Sequence, residues 1–374
     1  MRIGIEAQRI FRAKKHGMDV VALETLLSLQ QLDKKNEYFV FVKPDEDNQC
    51  ILPSENMHII PISGISYPDW EQIQLPRTAK KYNLDLLHCT SNTAPLYTNI
   101  PTLITLHDII YLEQLNFGGT AYQNFGNLYR RFVVPKVVKN AKAIITVSEF
   151  EKQQILNGLE IDQKKIEVIY NAINNKFHCN YSSDELKRVR IQYKLPNEFI
   201  LFLGNKAPKK NTENVVKAYI KYLLSSPNVL PLVILDYEKH LVEAILKTIN
   251  SERYIDSFCF PGYISSAEIP KLYNLAKLFL YPSLRESFGL PIIEAMACGT
   301  PVLTSDTSSM PEIAGNAAVL VNPYDIKDMA QKISGILSDE EQISVKIQSG
   351  LTRASYFSWE NTARKVLNMY KSLI

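Results

Sequence analysis

Short apolar runs alternate along the chain with segments in which apolar positions recur every three to four residues. An apolar run of four to eight residues bounded by polar or turn residues suits a strand buried on both faces of a parallel sheet. The 3.6-residue period marks helices packed on those faces. In the first half, strands are predicted at 2–5 (RIGI), 37–42 (EYFVFV), 57–62 (MHIIPI), 84–89 (LDLLHC), 102–107 (TLITLH), 143–148 (AIITVS) and 166–171 (IEVIYN). The second half repeats the theme at 199–204, 230–235, 257–260, 278–283, 301–306 and 317–322. Strand and helix in alternation predict an α/β chain made of two doubly wound, Rossmann-like domains facing a cleft. A polar stretch over 172–198 separates the halves, so the domains are expected at 1–175 and 176–355. The remaining residues, 356–374, contain an amphipathic helix, SWENTARKVLNMYKSLI, with no strand after it, and this helix is expected to pack back across the junction.

Sheets of this kind present ligands at the C-terminal ends of their strands. Polar clusters follow four strands here: GNKAPKKN (204–211), His107–Asp108, Ser148, and RESFGLPIIE (285–294). In the last of these, Pro291 suits the first position of a helix and Gly299 the position just past its end, which predicts a helix over about 291 to 298. Ser287, Phe288, Gly289 and Leu290 then form an entry loop at the positive end of the helix dipole, where an anion is favoured. Glu286 stands before the loop and Glu294 one turn inside the helix, so an anionic ligand that also carries hydroxyl groups fits the pair. GNKAPKKN places Lys206, Lys209 and Lys210 ahead of a helix beginning near Asn211, where the dipole disfavours cations. Two phosphates would offset that charge, with Lys209 or Lys210 acting as a point charge on the departing oxygen. The Walker order is missing, and no G-x-G-x-x-G follows the first strand, which disfavours a nicotinamide enzyme.

Composition narrows the classes further. A chain of 374 residues with 46% hydrophobic content supports two cores. With 42 basic against 39 acidic residues, nucleic acid is not indicated as a partner. The five cysteines, at 50, 89, 179, 259 and 298, lack metal-ligand spacing and point to a reducing compartment. No run approaches 18 apolar residues and the start reads as a strand, so a cytoplasmic protein is expected. The basic helix YRRFVVPKVVKNAK (129–142) fits either a solvated face or peripheral contact with anionic lipid at the inner face of a membrane.

Glu286-Ser-Phe-Gly-Leu-Pro-Ile-Ile-Glu294 resembles the E-x7-E signature of the family 4 retaining glycosyltransferases, and AMACGTPVLTSDTSSMPEIAGNAAVLVNP continues the likeness. FLGNKAPKKN resembles the family's phosphate loop, PGYIS its base-binding loop, VSEFEKQQIL and VIYNAIN the end of its first domain, and FSWENTA its closing helix. WEQIQLPRTAKKYNLDLLHCTSNTAPL is similar to a subgroup that builds bacterial surface polysaccharides, often from mannose or rhamnose donors. The resemblance implies the GT-B architecture and a nucleotide-diphosphate sugar as co-substrate, GDP-mannose first. It also implies a saccharide or lipid-linked saccharide acceptor, no separate cofactor and no required metal. By the same resemblance Glu286 lies by the donor sugar, Glu294 holds the ribose hydroxyls, and backbone groups of Phe288, Gly289 and Leu290 meet phosphate and sugar. Lys210 is the second basic residue of the phosphate loop, His107 the strand-end histidine, and Tyr263 and Ile264 the base-binding residues. Two departures stand out. Asn205, followed by Lys206, occupies the place where many members carry arginine, and Gly17 stands alone where many have a Gly-Gly or Gly-x-Gly loop. The alternatives are a sugar-nucleotide epimerase of the same architecture and a catalytically silent nucleotide-sugar binding module.

Overall fold

The computed structural model describes residues 1–113 and 121–374, and the chain divides into two units, Met1–Ala172 with Ser358–Ile374, and Ile173–Phe357. Every predicted strand is present, and all pair in parallel. The first unit holds β1 (Arg2–Glu6), β2 (Glu37–Val42), β3 (Met57–Pro61), β4 (Leu86–Cys89), β5 (Thr102–Thr105), β6 (Ala143–Thr146) and β7 (Ile166–Val168), in the order β3-β2-β1-β4-β5-β6-β7. The second holds β8 (Ile200–Leu203), β9 (Leu232–Leu235), β10 (Phe258–Cys259), β11 (Leu278–Tyr281), β12 (Val302–Ser305) and β13 (Val319–Val321), in the order β10-β9-β8-β11-β12-β13. Several strands end before their apolar runs do: His107, Ser148, Gly204 and Ser283 fall in the loops beyond β5, β6, β8 and β11.

Burial on both faces explains the unbroken apolar runs. Every residue of β4, β5, β6, β9 and β11 is buried. In the first unit, Leu26 and Leu29 of the helix Gly17–Leu32 share a core with Ile3, Ile5 and, from the helix Trp359–Leu373, Ala363, Val366 and Tyr370. The chain's last helix thus belongs to the first unit. Ser358 caps it, its hydroxyl accepting the Asn361 N–H at 3.2 Å. Near its end, the Tyr370 hydroxyl meets His88 Nδ1 at 2.7 Å, and His88 Nε2 meets the Thr105 hydroxyl at 2.7 Å. Burial pulls the His88 pKa down to about 3, so the ring is neutral and bonds as one donor and one acceptor.

Each sheet has one pair of neighbours at which the winding reverses, β1 with β4 and β8 with β11. Loops leaving such a pair diverge to opposite faces of the sheet and leave a crevice for ligand.

Candidate active site

At the β8/β11 crevice three loops are locked together. After β8 the chain runs through Gly204–Ala207 and a tight turn, Pro208–Lys210, to the helix Thr212–Ser225. Asn205 shapes the turn: its side-chain oxygen accepts the Ala207 N–H at 2.8 Å, and its own N–H donates to the Thr212 hydroxyl at 3.2 Å. Asn211 sits in the left-handed region at φ 61°, a conformation that asparagine tolerates. Its buried amide donates to the carbonyls of Pro282, at 3.0 Å, and Pro323, at 2.8 Å. The Leu284 N–H donates to the Lys209 carbonyl at 2.7 Å. Loops following β8, β11 and β13 therefore hold one another.

Glu286 is fixed at both ends of its peptide unit. Its N–H donates to the Ser308 hydroxyl at 2.9 Å, and its carbonyl accepts from Ser308 at 2.6 Å and Ser309 at 2.9 Å. The side chain meets the Lys210 ammonium at 2.6 Å, with side-chain exposures of 11% and 23%. The same ammonium donates to the Tyr281 hydroxyl at 3.0 Å. Part of the negative charge expected opposite the lysines is thus the protein's own. Lys206 pairs instead with exposed Glu238, at 2.8 Å.

The following helix spans Leu290–Ala297, starting one residue earlier than predicted, because Pro291 takes the second helical position. Gly289 enters it at φ +100°, where a side chain would be strained, and Gly299 leaves it at φ +74°. Phe288 is buried, its ring edge-on to Phe357 at 5.8 Å, and Ser287 precedes it in the entry loop. Half-buried Glu294 accepts from the Tyr273 hydroxyl at 3.4 Å. Burial pushes its pKa up to about 7, against the opposing charge of Lys176 and the Tyr273 bond. In the loop after β10, Tyr263 is 84% exposed while Ile264 is 8% exposed, so the first faces solvent and the second anchors the turn.

In the first unit the β1/β4 crevice is closed by Glu6, whose carboxylate accepts the N–H groups of Gln8 at 2.9 Å and Thr90 at 3.1 Å. Burial raises its pKa to about 7. His107 is buried beyond β5, with its N–H on the Asn92 side-chain oxygen at 2.6 Å and Nε2 on the Thr90 carbonyl at 3.0 Å. A carbonyl only accepts, so Nε2 carries the proton and Nδ1 is left as the acceptor; burial lowers the ring's pKa, which keeps it neutral. Asp108 accepts the Ile110 N–H at 3.2 Å, and Ser148 caps the helix Glu149–Gly158. Gly17 opens the helix Gly17–Leu32 with open space where a Cβ would stand. Its neighbour His16 donates its N–H to Asp19 at 3.0 Å, and Asp19 pairs with Arg9 at 2.9 Å.

Two family models match in tandem: Glycosyltransferase Family 4 over residues 13–177 and Glycosyl transferases group 1 over residues 183–350. The chain belongs to the family 4 glycosyltransferases. The serotype-specific mannosyltransferase WbdA of Escherichia coli is 32% identical over 66% of this chain, and the match spans 31% of WbdA's own length. The O-antigen chain mannosyltransferase RfbU of Salmonella typhimurium is 29% identical over 84% of the chain and 81% of RfbU. Among solved structures, Anabaena HepE in complex with UDP and glucose superposes with a TM-score of 0.75 at 19% identity, covering 100% of both chains, which shows the fold.

Within the second unit, the fold brings Lys210, Glu286 and the 287–289 entry loop to one crevice, with Glu294 on the helix that follows. The sequence reading missed Tyr281, Asn211, Ser308 and Ser309, which hold these groups. Each belongs to a strand end or to the turn after one, and that position was the available signal. It also missed Glu71, a buried carboxylate that accepts from Thr93, Tyr129, Tyr67 at 3.1 Å and Gln72 at 2.9 Å, in the first unit. Among the described residues, no group of three or more His, Cys, Asp or Glu is placed to hold a metal ion, and no helix is long and apolar enough to cross a membrane.

Proposed function

We propose that this chain transfers a hexose, with retention at the anomeric carbon, from a nucleotide-diphosphate sugar to a saccharide or lipid-linked saccharide in surface polysaccharide synthesis. The observation that carries the reading is the Lys210–Glu286 pair, 2.6 Å long, set at the β8/β11 crevice against the entry loop of the signature helix. Transfer breaks the bond between the anomeric carbon and the phosphate oxygen, and the electron pair leaves with the diphosphate. Lys210 and the 287–289 entry loop face that growing charge. The acceptor hydroxyl adds to the same face of the sugar, and its proton passes to the leaving phosphate oxygen. Glu294 takes the ribose hydroxyls, and the turn at Tyr263, anchored by buried Ile264, flanks the base. Neutral His107, with Nδ1 as an acceptor, suits a sugar hydroxyl. GDP-mannose is the donor of choice because WbdA and RfbU are named as mannosyltransferases.

Proton NMR of an early product should show the donor's anomeric configuration in the new linkage. Inversion would refute the mechanism. Release of an epimer without acceptor would instead mark an epimerase, and donor binding with no turnover a silent module. A thermal-shift panel of GDP-, UDP-, dTDP- and ADP-sugars identifies the base.

Lysine and helix dipole supply the charge that a divalent ion supplies elsewhere, so no metal is needed in this reading. Turnover should therefore survive EDTA. Loss of activity that magnesium restores would overturn this.

Peripheral contact with the inner face of a membrane is supported by the helix Ala121–Asn140. Val133, Val134, Val137 and Val138 are buried in the unit, whereas Phe125, Leu128 and Phe132 are 57%, 51% and 59% exposed. These three recur at helical spacing along one stripe. Arg130, Arg131, Lys136 and Lys139 lie on the same helix, with Lys136 over the Phe132 ring at 3.2 Å. Apolar residues beside cations suit an anionic bilayer surface. Sedimentation with phosphatidylglycerol vesicles should carry the protein down, and phosphatidylcholine vesicles should not. Serine at 125, 128 and 132 should weaken binding about tenfold or more. Equal partition to both vesicle types would remove the anionic lipid from the reading, and no sedimentation with either would remove the membrane.

A further inference from the structure

Tyr281 is the last residue of β11, and its backbone is held on the β12 side. It pairs in register with Thr304, whose hydroxyl donates to the Tyr281 carbonyl at 2.9 Å. Its ring is buried within the second unit's core beside Phe279 and Ile292. From this fixed base the hydroxyl accepts from the Lys210 ammonium at 3.0 Å, and the ammonium lies 4.9 Å from the centre of the ring. Glu286 completes a triangle, 2.6 Å from the same ammonium. Burial and the neighbouring Glu286 raise the hydroxyl's pKa well above its ordinary value, so it stays protonated and its own hydrogen is available to the carboxylate. A lysine has four rotatable bonds and points its charge poorly unless something holds it. Lys210 is held by two groups from the same strand and loop.

We infer that Tyr281 is a positioning residue for glycosyl transfer: its hydroxyl, set by the buried ring, fixes the Lys210 ammonium, together with Glu286, where the charge of the departing diphosphate develops. This rests on the donor reading given above. The contribution is one of preorganisation, since a lysine already in place loses no side-chain freedom when the leaving charge forms. It appears in the transition state more than in donor binding, and it acts only through Lys210.

The test is a double-mutant cycle of Tyr281→Phe and Lys210→Ala, read as kcat and donor KM with GDP-mannose and, in its place if the thermal panel selects another base, the corresponding sugar nucleotide. Phenylalanine keeps the ring and removes only the hydroxyl. Tyr281→Phe should lower kcat about five- to twentyfold, with donor KM within about twofold and the unfolding midpoint within about 3 °C. In the Lys210→Ala background the same change should alter kcat/KM less than about twofold, because the group it positions is gone. An equal loss in both backgrounds, a fall in the midpoint beyond about 5 °C that accounts for the lost activity, or a fully active Tyr281→Phe would each overturn the inference. Wild-type protein that turns over no sugar nucleotide would instead overturn the donor reading and this inference with it.

Discussion

Lys210→Ala should lower kcat/KM for transfer by about a hundredfold or more, the range seen when one electrostatic donor to a growing negative charge is removed. The reason is geometric as well as electrostatic. The ammonium is mostly buried, 2.6 Å from Glu286 and 3.0 Å from the Tyr281 hydroxyl, so its position is defined before reaction. A hundredfold corresponds to about 2.7 kcal/mol, well above the 0–1 kcal/mol of an exposed ion pair. Removing the lysine also leaves the Glu286 carboxylate without its counter-charge, which adds repulsion toward a diphosphate. Lys210→Ala/Glu286→Gln should therefore recover a few-fold of donor affinity relative to Lys210→Ala. Full kinetic profiles on variants checked by circular dichroism settle the assignment. A loss below about threefold would move the role to Lys209 or Lys206.

The alternation of apolar runs and helical periods was enough to find every strand, because parallel strands buried on both faces have little freedom in composition. Strand order was not legible. Lys210 and Glu286 lie 76 positions apart, and what joins them is the adjacency of β8 and β11, which depends on long-range packing that no local pattern records. The signature stretch was legible for a different reason. Pro291 and Gly299 mark helix ends through their own backbone chemistry, so the helix was placed to within one residue. The division of labour among the lysines was not: Lys206, Lys209 and Lys210 are chemically alike in sequence. Only the turn at Pro208–Lys210 and the left-handed Asn211 decide which one meets Glu286. The resemblance points to a place beside the sugar for Glu286, and what the structure shows is its pairing with Lys210. Buried partners such as Tyr281, Ser308 and Ser309 read as ordinary strand and loop residues until their neighbours are known.

Donor affinity should depend on pH through Glu294, and the sign follows from its environment. Burial raises this carboxyl to about 7 from an ordinary value of 4.5, so near neutrality it is partly protonated. Ribose hydroxyls donate to the ionised form, so binding below pH 7 must first expel a proton. The apparent Kd for a sugar nucleotide should then rise by up to about tenfold per pH unit below 7, or about thirtyfold from pH 8 to pH 5.5. A sugar nucleotide is the right probe because its diphosphate is esterified at both ends and keeps its charge over this range. Glu294→Gln should flatten the dependence and hold Kd near the wild type's low-pH value at every pH, raising donor KM at neutral pH and above with a smaller effect on kcat. The same shift has the opposite consequence for stability. A carboxyl whose folded pKa lies above its unfolded value contributes fully below pH 4.5, and that contribution is lost as pH rises through 7. At pH 8 the wild type therefore carries the cost of an ionised carboxylate in a poorly solvated place. Glu294→Gln should be more stable there by about 1–3 kcal/mol, with the gain shrinking toward pH 5. Calorimetric titrations and unfolding curves at pH 5.5, 7 and 8 test both halves. A wild-type Kd that does not change with pH, or a glutamine variant that keeps the wild-type slope, would take Glu294 out of the nucleotide site.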